Sequence, residues 1–220
     1  MIKASALPAV LDRIDADFDK SLERLFALLR IKSISADPAF AQDCRTAADH
    51  LAADIATIGF ATEVRPTAGH PAIVGRSNGA SGDPHVLFYG HYDVQPVDPL
   101  DLWKRPPFEP VVTDHADGRK IIVARGAEDD KGQLMTFIEA CRAWKAVHGA
   151  LPGKLTIFLE GEEESGSPSL IPFMKENAAE LKSDIALICD TGLHEGRIPA
   201  ITTMLRGLVG EEVTIQAANQ

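Results

Sequence analysis

Four polar clusters hold the residues best suited to chemistry. His91 and Asp93 follow the apolar run VLFYG, and Glu128, Asp129 and Asp130 follow IIVARGA. Glu160, Glu162, Glu163 and Glu164 follow LTIFL, and Asp190 follows IALIC. Each cluster comes directly after an apolar run of strand length. In open α/β sheets the carboxyl ends of parallel strands form the rim where ligands bind. Parallel strands here would therefore gather one imidazole and several carboxylates in a single cleft. So many like charges together cost several kcal/mol unless they are protonated or neutralised by cations. A metal site removes that conflict. Carboxylate oxygens suit hard divalent ions, and a His nitrogen adds a preference for zinc, cobalt or manganese over magnesium or calcium. Taken singly, each cluster has an ordinary explanation. A lone His at a strand end is more often structural, GEEES is a common solvated loop, and the acids of AEDDKG suit a helix N-terminus through its dipole. It is the shared placement that points to a metal. The HxD spacing adds a carboxylate near the imidazole, the usual arrangement for fixing a ligand's tautomer.

The elements that must position these residues follow from periodicity. Residues 6–31 read as an amphipathic helix, with Leu11, Ile14, Phe18, Leu22, Leu25, Phe26 and Leu29 at three- and four-residue intervals. A second helical pattern runs from about 39 to 58, with Gly59 as its stop. Short apolar runs then alternate with turn residues: ATEVRP, PAIVGR, HVLFYG, and the pair FEPVVTD and KIIVARG around an Asp117-Gly118 hairpin signal. A helix from about Gly132 to His148, a strand LTIFLE, a helix SLIPFMKENAAEL and a strand IALICD come next. IPAITTML and LVGEEVTIQA read as further strands. Strands interleaved with helices predict an α/β fold whose central runs are apolar enough to be covered on both faces. A boundary is expected between 195 and 207, and the sequence then stops part-way through what reads as a new unit, as a fragment would.

Composition narrows the class. With 220 residues, 45% hydrophobic and 25% charged, the chain has the ordinary mixture of a soluble globular protein. No apolar run approaches the ~20 residues of a membrane span, and the first residues lack an apolar signal core. Three widely spaced cysteines (Cys44, Cys141, Cys189) argue for a reducing, cytoplasmic setting and against a thiolate zinc site. A formal net charge of −10 with no basic stripe argues against nucleic-acid binding. The serines of ESGSPS lack a GxSxG context, which speaks against serine catalysis.

The motifs also carry a resemblance. GHYDVQP (Gly90 to Pro96), with W-x-x-x-P-F at Trp103 to Phe108, is similar to the first metal motif of the zinc-dependent aminoacylase/carboxypeptidase/dipeptidase family. Carnosinase, peptidase V, acetylornithine deacetylase and succinyl-diaminopimelate desuccinylase are members. ARGAEDDKG resembles the second motif, LEGEEESGS the third, and ICDTG, ending at Gly192, the fourth. Their order and spacing agree over most of residues 10–210.

The resemblance implies a three-layer sandwich with a mixed, mostly parallel central sheet, its catalytic domain over residues 1–200. Residues 201–220 would begin a lid or dimerisation domain. It implies two divalent metal ions, zinc first, with manganese or cobalt as alternatives. The metal ligands would be His91, Asp129, Glu164 and Asp190. Asp93 would hold the His91 ring, Asp130 would shape the adjoining turn, and Glu163 would be the general base in hydrolysis of an amide bond. Aspartate at position 190 favours a dipeptide or small-peptide substrate over the alternative, an N-acyl amino acid. The implied partners are that substrate, no nucleic acid or membrane, and a second copy through the lid. One departure stands out. The late metal-binding His of the family has no match, and His194 lies too near Asp190 to serve. Residues 1–220 alone are therefore expected to bind the second metal weakly and to have little activity, or to act only as a binding module.

Overall fold

The computed structural model describes residues 6–79, 83–196 and 198–218, and the chain divides into two units, 1–190 and 191–220. The first unit contains seven strands: β1 (Ala61–Arg65), β2 (Ala72–Ser77), β3 (His85–His91), β4 (Val111–Asp114), β5 (Lys120–Val123), β6 (Lys154–Glu160) and β7 (Ile185–Ile188). Its helices are α1 (Leu7–Ala16), α2 (Phe18–Leu29), α3 (Ala41–Ile58), α4 (Lys131–His148), α5 (Leu170–Glu176) and α6 (Ala178–Leu181). Five strands form the main sheet in the order β1-β2-β6-β3-β7. The β1/β2 and β2/β6 pairs are antiparallel, while β3 runs parallel to both β6 and β7. The sheet is thus mixed, and its parallel strands β3, β6 and β7 lead into three of the four polar clusters; the fourth, Asp129 with its neighbours, follows β5 of a separate antiparallel hairpin, against the expectation of a parallel strand.

Period-two alternation explains the three layers. Ile73, Phe88 and Ile157 share one buried cluster with Leu51 and Ile55 of α3 and Leu134 and Ile138 of α4. Their chain neighbours Val74, Leu87 and Phe158 share another with Phe173 of α5 and Leu181 of α6. Each such side chain, fully buried, contributes about 1.5–3 kcal/mol. Helices therefore cover both faces of β2, β3 and β6. The smaller β4/β5 hairpin pairs Val111 with Val123 and Asp114 with Lys120, and Gly118 takes φ +87° at its turn.

Two expected helices are interrupted. The helical pattern of residues 6–31 breaks at Asp17, which leaves helical geometry at ψ 10° and takes Lys20 across the gap at 3.0 Å. The SLIPFMKENAAEL helix breaks at Asn177, whose Nδ2 donates to the Phe173 carbonyl at 2.8 Å and so competes for the helical ladder. Gly59 ends α3 in the left-handed region, as its position predicts.

The second unit corrects one expectation. IPAITTML and LVGEEVTIQA form no strand among the described residues; the unit's described backbone contains a single bridge, between His194 and Ile198. Ile201, Leu205, Leu208, Val213 and Ile215 are all exposed. A β-branched composition favours a pleated surface, but a strand also needs a neighbour to take its N–H and C=O groups.

Candidate metal centre

Register brings the clusters together. In the parallel β3/β6 ladder His91 lies opposite Glu160, so the GHYD turn and the GEEES turn leave the sheet side by side. β7, on the other side of β3, delivers Asp190 to the same rim. Asp129 and Asp130 stand immediately before α4.

His91 and Asp93 are fully buried. His91 Nδ1 lies 3.2 Å from the Asp93 carbonyl and 3.3 Å from its Oδ1. With the proton on Nδ1, the Nε2 lone pair is left to face outward. It faces two carboxylates, with Asp129 Oδ1 at 3.0 Å and Asp190 Oδ2 at 3.6 Å. One donor atom from each of these three residues falls within 4.8 Å of the others. Donors ~2.0–2.2 Å from a tetrahedral ion lie about 3.4 Å apart, so the spacing and the N/O chemistry fit a divalent cation. Asp129 and Asp190 remain partly open to solvent, which leaves an approach to the cluster.

Asp93 does more than steady the ring. Its Oδ1 accepts the Glu163 amide at 3.2 Å and its Oδ2 the Glu164 amide at 3.0 Å. One buried carboxylate thus fixes both the imidazole and the turn bearing the two glutamates. Glu164 is not part of the three-donor group; its Oε2 accepts from Gln95 Nε2 at 2.7 Å. Glu163 is half-buried on the same turn.

The electrostatics agree with a crowded acidic cleft. Burial, then the charges of neighbouring acids, raises Glu163 above the ordinary carboxyl range, against the lowering field of His91. Glu164 and Asp190 are raised by burial too, with the charge of Asp129 adding to each. Burial alone would lower the His91 imidazole. Its hydrogen bond to Asp93 and the charges of Asp93, Asp130 and Glu163 outweigh that, and its pKa is pushed up to about 10.

Three residues around the centre went unread in the sequence or were read only in part. Asp130 is buried; its Oδ2 accepts the His91 amide at 3.0 Å, and burial pushes its pKa up to about 7. Lys131 is fully buried and donates to the carbonyls of Leu28 and Ile31, tying the start of α4 to the end of α2. Glu162 is buried and accepts the amides of His70 and Ser169, each at 3.1 Å, joining the loop before β2 to the residue preceding α5. Only the acidic run itself signalled Glu162, and nothing in its composition separates it from the two glutamates that follow. His194 belongs to the second unit and is exposed.

An imidazole and two carboxylates gathered at the rim of a mixed α/β sheet make a candidate metal centre. Residues 87–216 match Peptidase family M20/M25/M40, and the chain belongs to that family. It is similar to the "Cys-Gly metallodipeptidase dug1" of Schizosaccharomyces pombe, 30% identical over 96% of this chain and 46% of that protein. It is 31% identical to the human "Beta-Ala-His dipeptidase" over 91% of this chain and 42% of that protein. The fold superposes on the solved structure of the di-peptidase Dug1p of Saccharomyces cerevisiae with a TM-score of 0.75 and 30% identity, covering 85% of this chain and 41% of that one. The chain therefore spans less than half the length of these relatives. Among the described residues no helix is long and apolar enough to cross a membrane.

Proposed function

We propose that the protein hydrolyses the amide bond of a dipeptide or small peptide, with Glu163 as general base. The observation that carries this reading is the convergence of His91, Asp129 and Asp190 within 4.8 Å, beside the turn that presents Glu163 and Glu164. His91, Asp129, Glu164 and Asp190 are the residues that would hold two divalent ions, zinc first and manganese or cobalt as alternatives. Ions bound there would polarise the scissile carbonyl and acidify the attacking water. Asp93 holds the imidazole and the two glutamate amides in place. The raised pKa of Glu163 suits a carboxylate that takes a proton from water and returns it to the leaving amine. The dipeptidase names of both curated relatives, together with aspartate at position 190, favour a dipeptide over an N-acyl amino acid. Residues 201–220 are assigned to the opening of a lid or dimerisation domain. The three free cysteines, two of them buried, fit a reducing cytoplasm.

Glu163→Gln tests the assignment in the whole gene product. It should retain its metal content and lose about 10²–10⁴ in kcat on dipeptides, the usual worth of a positioned acid–base group. Unchanged turnover in this variant, or turnover that survives complete metal removal, contradicts the proposal. Faster hydrolysis of acetylated amino acids than of dipeptides would move the substrate to the deacylase class. Residues 1–220 alone are expected to bind a second ion weakly and to turn over slowly, because the late His implied by the resemblance has no match among them.

A further inference from the structure

A second polar feature lies outside the acidic centre and has the opposite charge. A cavity of about 770 Å³ opens beside the loop that follows GHYDVQP. Four cations line it, Arg30, Lys32, Lys104 and Arg105, against one carboxylate, Glu109. In a chain of net charge −10 this is a local inversion. None of the four cations forms an ion pair among the described residues, whereas Arg13, Arg24, Arg45, Arg65, Arg76 and Arg142 all do. Like charges left together without counter-ions repel, and a bound anion would relieve that repulsion.

The floor beneath them is apolar and fixed. Ile34, Val94 and Phe108 form a small buried cluster of their own, with Phe40 and Val97 packed against it. A bridge between Ile34 and Val94 ties the floor to the GHYD turn. Trp103, on the cavity wall, donates its Nε1–H to the Val97 carbonyl at 2.9 Å and lies 5.3 Å from the Arg125 guanidinium. Arg125 in turn donates to the Pro96 carbonyl, while its buried Nε has no partner. Three aromatic side chains thus meet in one cavity of a chain that is only 6% aromatic.

We propose that this cavity binds a small amphipathic carboxylate, an aromatic or acyl body carrying one anionic group. The body would lie on Trp103, Phe108 and Ile34, and the carboxylate among Lys104, Arg105 and Arg30. The volume falls within the ~300–1,000 Å³ of small-molecule sites, and apolar walls with a few placed charges are their usual make-up. Guanidinium groups match carboxylates through paired N–H donors. None of the four proposed metal ligands lines the cavity, so the site is separate from the acidic centre and does not depend on its chemistry.

The test uses Trp144→Phe as host, which leaves Trp103 the only tryptophan. Titration with 1-naphthoate should give a saturable change in Trp103 emission. The neutral analogue 1-naphthalenemethanol should bind at least tenfold more weakly, and added salt should weaken naphthoate. Reversing two exposed charges in the same host (Lys104→Glu with Arg105→Glu) should raise the naphthoate Kd at least tenfold, with an unchanged circular-dichroism melt showing that the fold is intact. The proposal is overturned if naphthoate fails to saturate at millimolar concentration, if the neutral analogue binds equally well, or if charge reversal leaves the Kd unchanged.

Discussion

Replacing Asp93 with asparagine should damage two things at once, because its two carboxylate oxygens serve different parts of the centre. Oδ1 holds the Glu163 amide and faces His91 Nδ1, and Oδ2 holds the Glu164 amide. A carboxamide in place of the carboxylate would keep one acceptor and turn a donor toward the other amide. Leaving a partly buried N–H unpaired costs about 1–2 kcal/mol, and the surviving bond, no longer charge-assisted, loses about 1 more. A total of about 2–3 kcal/mol corresponds to a urea midpoint lower by roughly 1–2 M at the usual slopes. The imidazole keeps the backbone carbonyl of residue 93 but loses the carboxylate charge beside Nδ1, and altering such a supporting partner typically lowers metal affinity 10–100-fold. Three measurements on Asp93→Asn separate these effects: urea unfolding, chelator competition for zinc, and hydrogen exchange at the amides of residues 163 and 164. Exchange at both amides should accelerate. If the variant keeps its metal affinity, urea midpoint and amide protection, Asp93 does not act as the clamp described here.

Metal uptake should release protons. His91, at about 10, is protonated in the metal-free protein at neutral pH, and Glu163, Glu164 and Asp190 are shifted upward as well. Ligands must give up their protons to bind, so apparent affinity should rise as pH climbs toward that value. Calorimetric heats that do not depend on the buffer's ionisation enthalpy would contradict this. Gly161→Ala should destabilise the fold by about 1–3 kcal/mol, the usual cost of overpacking, because a Cβ there would lie 2.3 Å from the ring of buried Tyr92; an unchanged urea midpoint would count against it. Glu139 accepts from Ser21, Arg24 and Arg142, and these contacts outweigh burial to hold its carboxyl below 4.5. Its contribution is present above that value and lost as pH falls through the lower folded one. Glu139→Gln should therefore melt earlier at pH 7, with the gap closing in acid, and a gap that is constant with pH would refute the assignment.

The sheet was legible because burial leaves a periodic record. Ile73 with Val74, Leu87 with Phe88, and Ile157 with Phe158 alternate between two cores, as strands covered on both faces require. The breaks at Asp17 and Asn177 were not legible. The apolar spacing continues across them, and the interruption is a backbone event at a single polar residue. Strand formation in the final segments failed for a different reason, which β7 makes plain. Ile185–Ile188 is exposed at every position, yet it is a strand because β3 supplies a parallel ladder. Ile201 and Val213 have the same composition and no strand to pair with among the described residues. Composition proposes a strand, and a neighbour makes it one.

The same distinction applies to the centre. That His91 and Asp190 come together follows from the placement of their clusters at the ends of parallel strands, whereas Asp129 arrives by another route, after the antiparallel β4/β5 hairpin and just before α4. The division of labour among adjacent acids was not legible. Asp129 and Asp130 are identical in type, but one faces His91 Nε2 and the other lies buried beneath the His91 amide. Of the three consecutive glutamates 162–164, the first is spent on the amides of His70 and Ser169, while the other two face the cleft under the hold of Asp93. Each assignment depends on which backbone N–H groups arrive from segments distant in sequence. A run of acids thus contains carboxylates committed to backbone amides beside others that are not, and only tertiary hydrogen bonding tells the two apart.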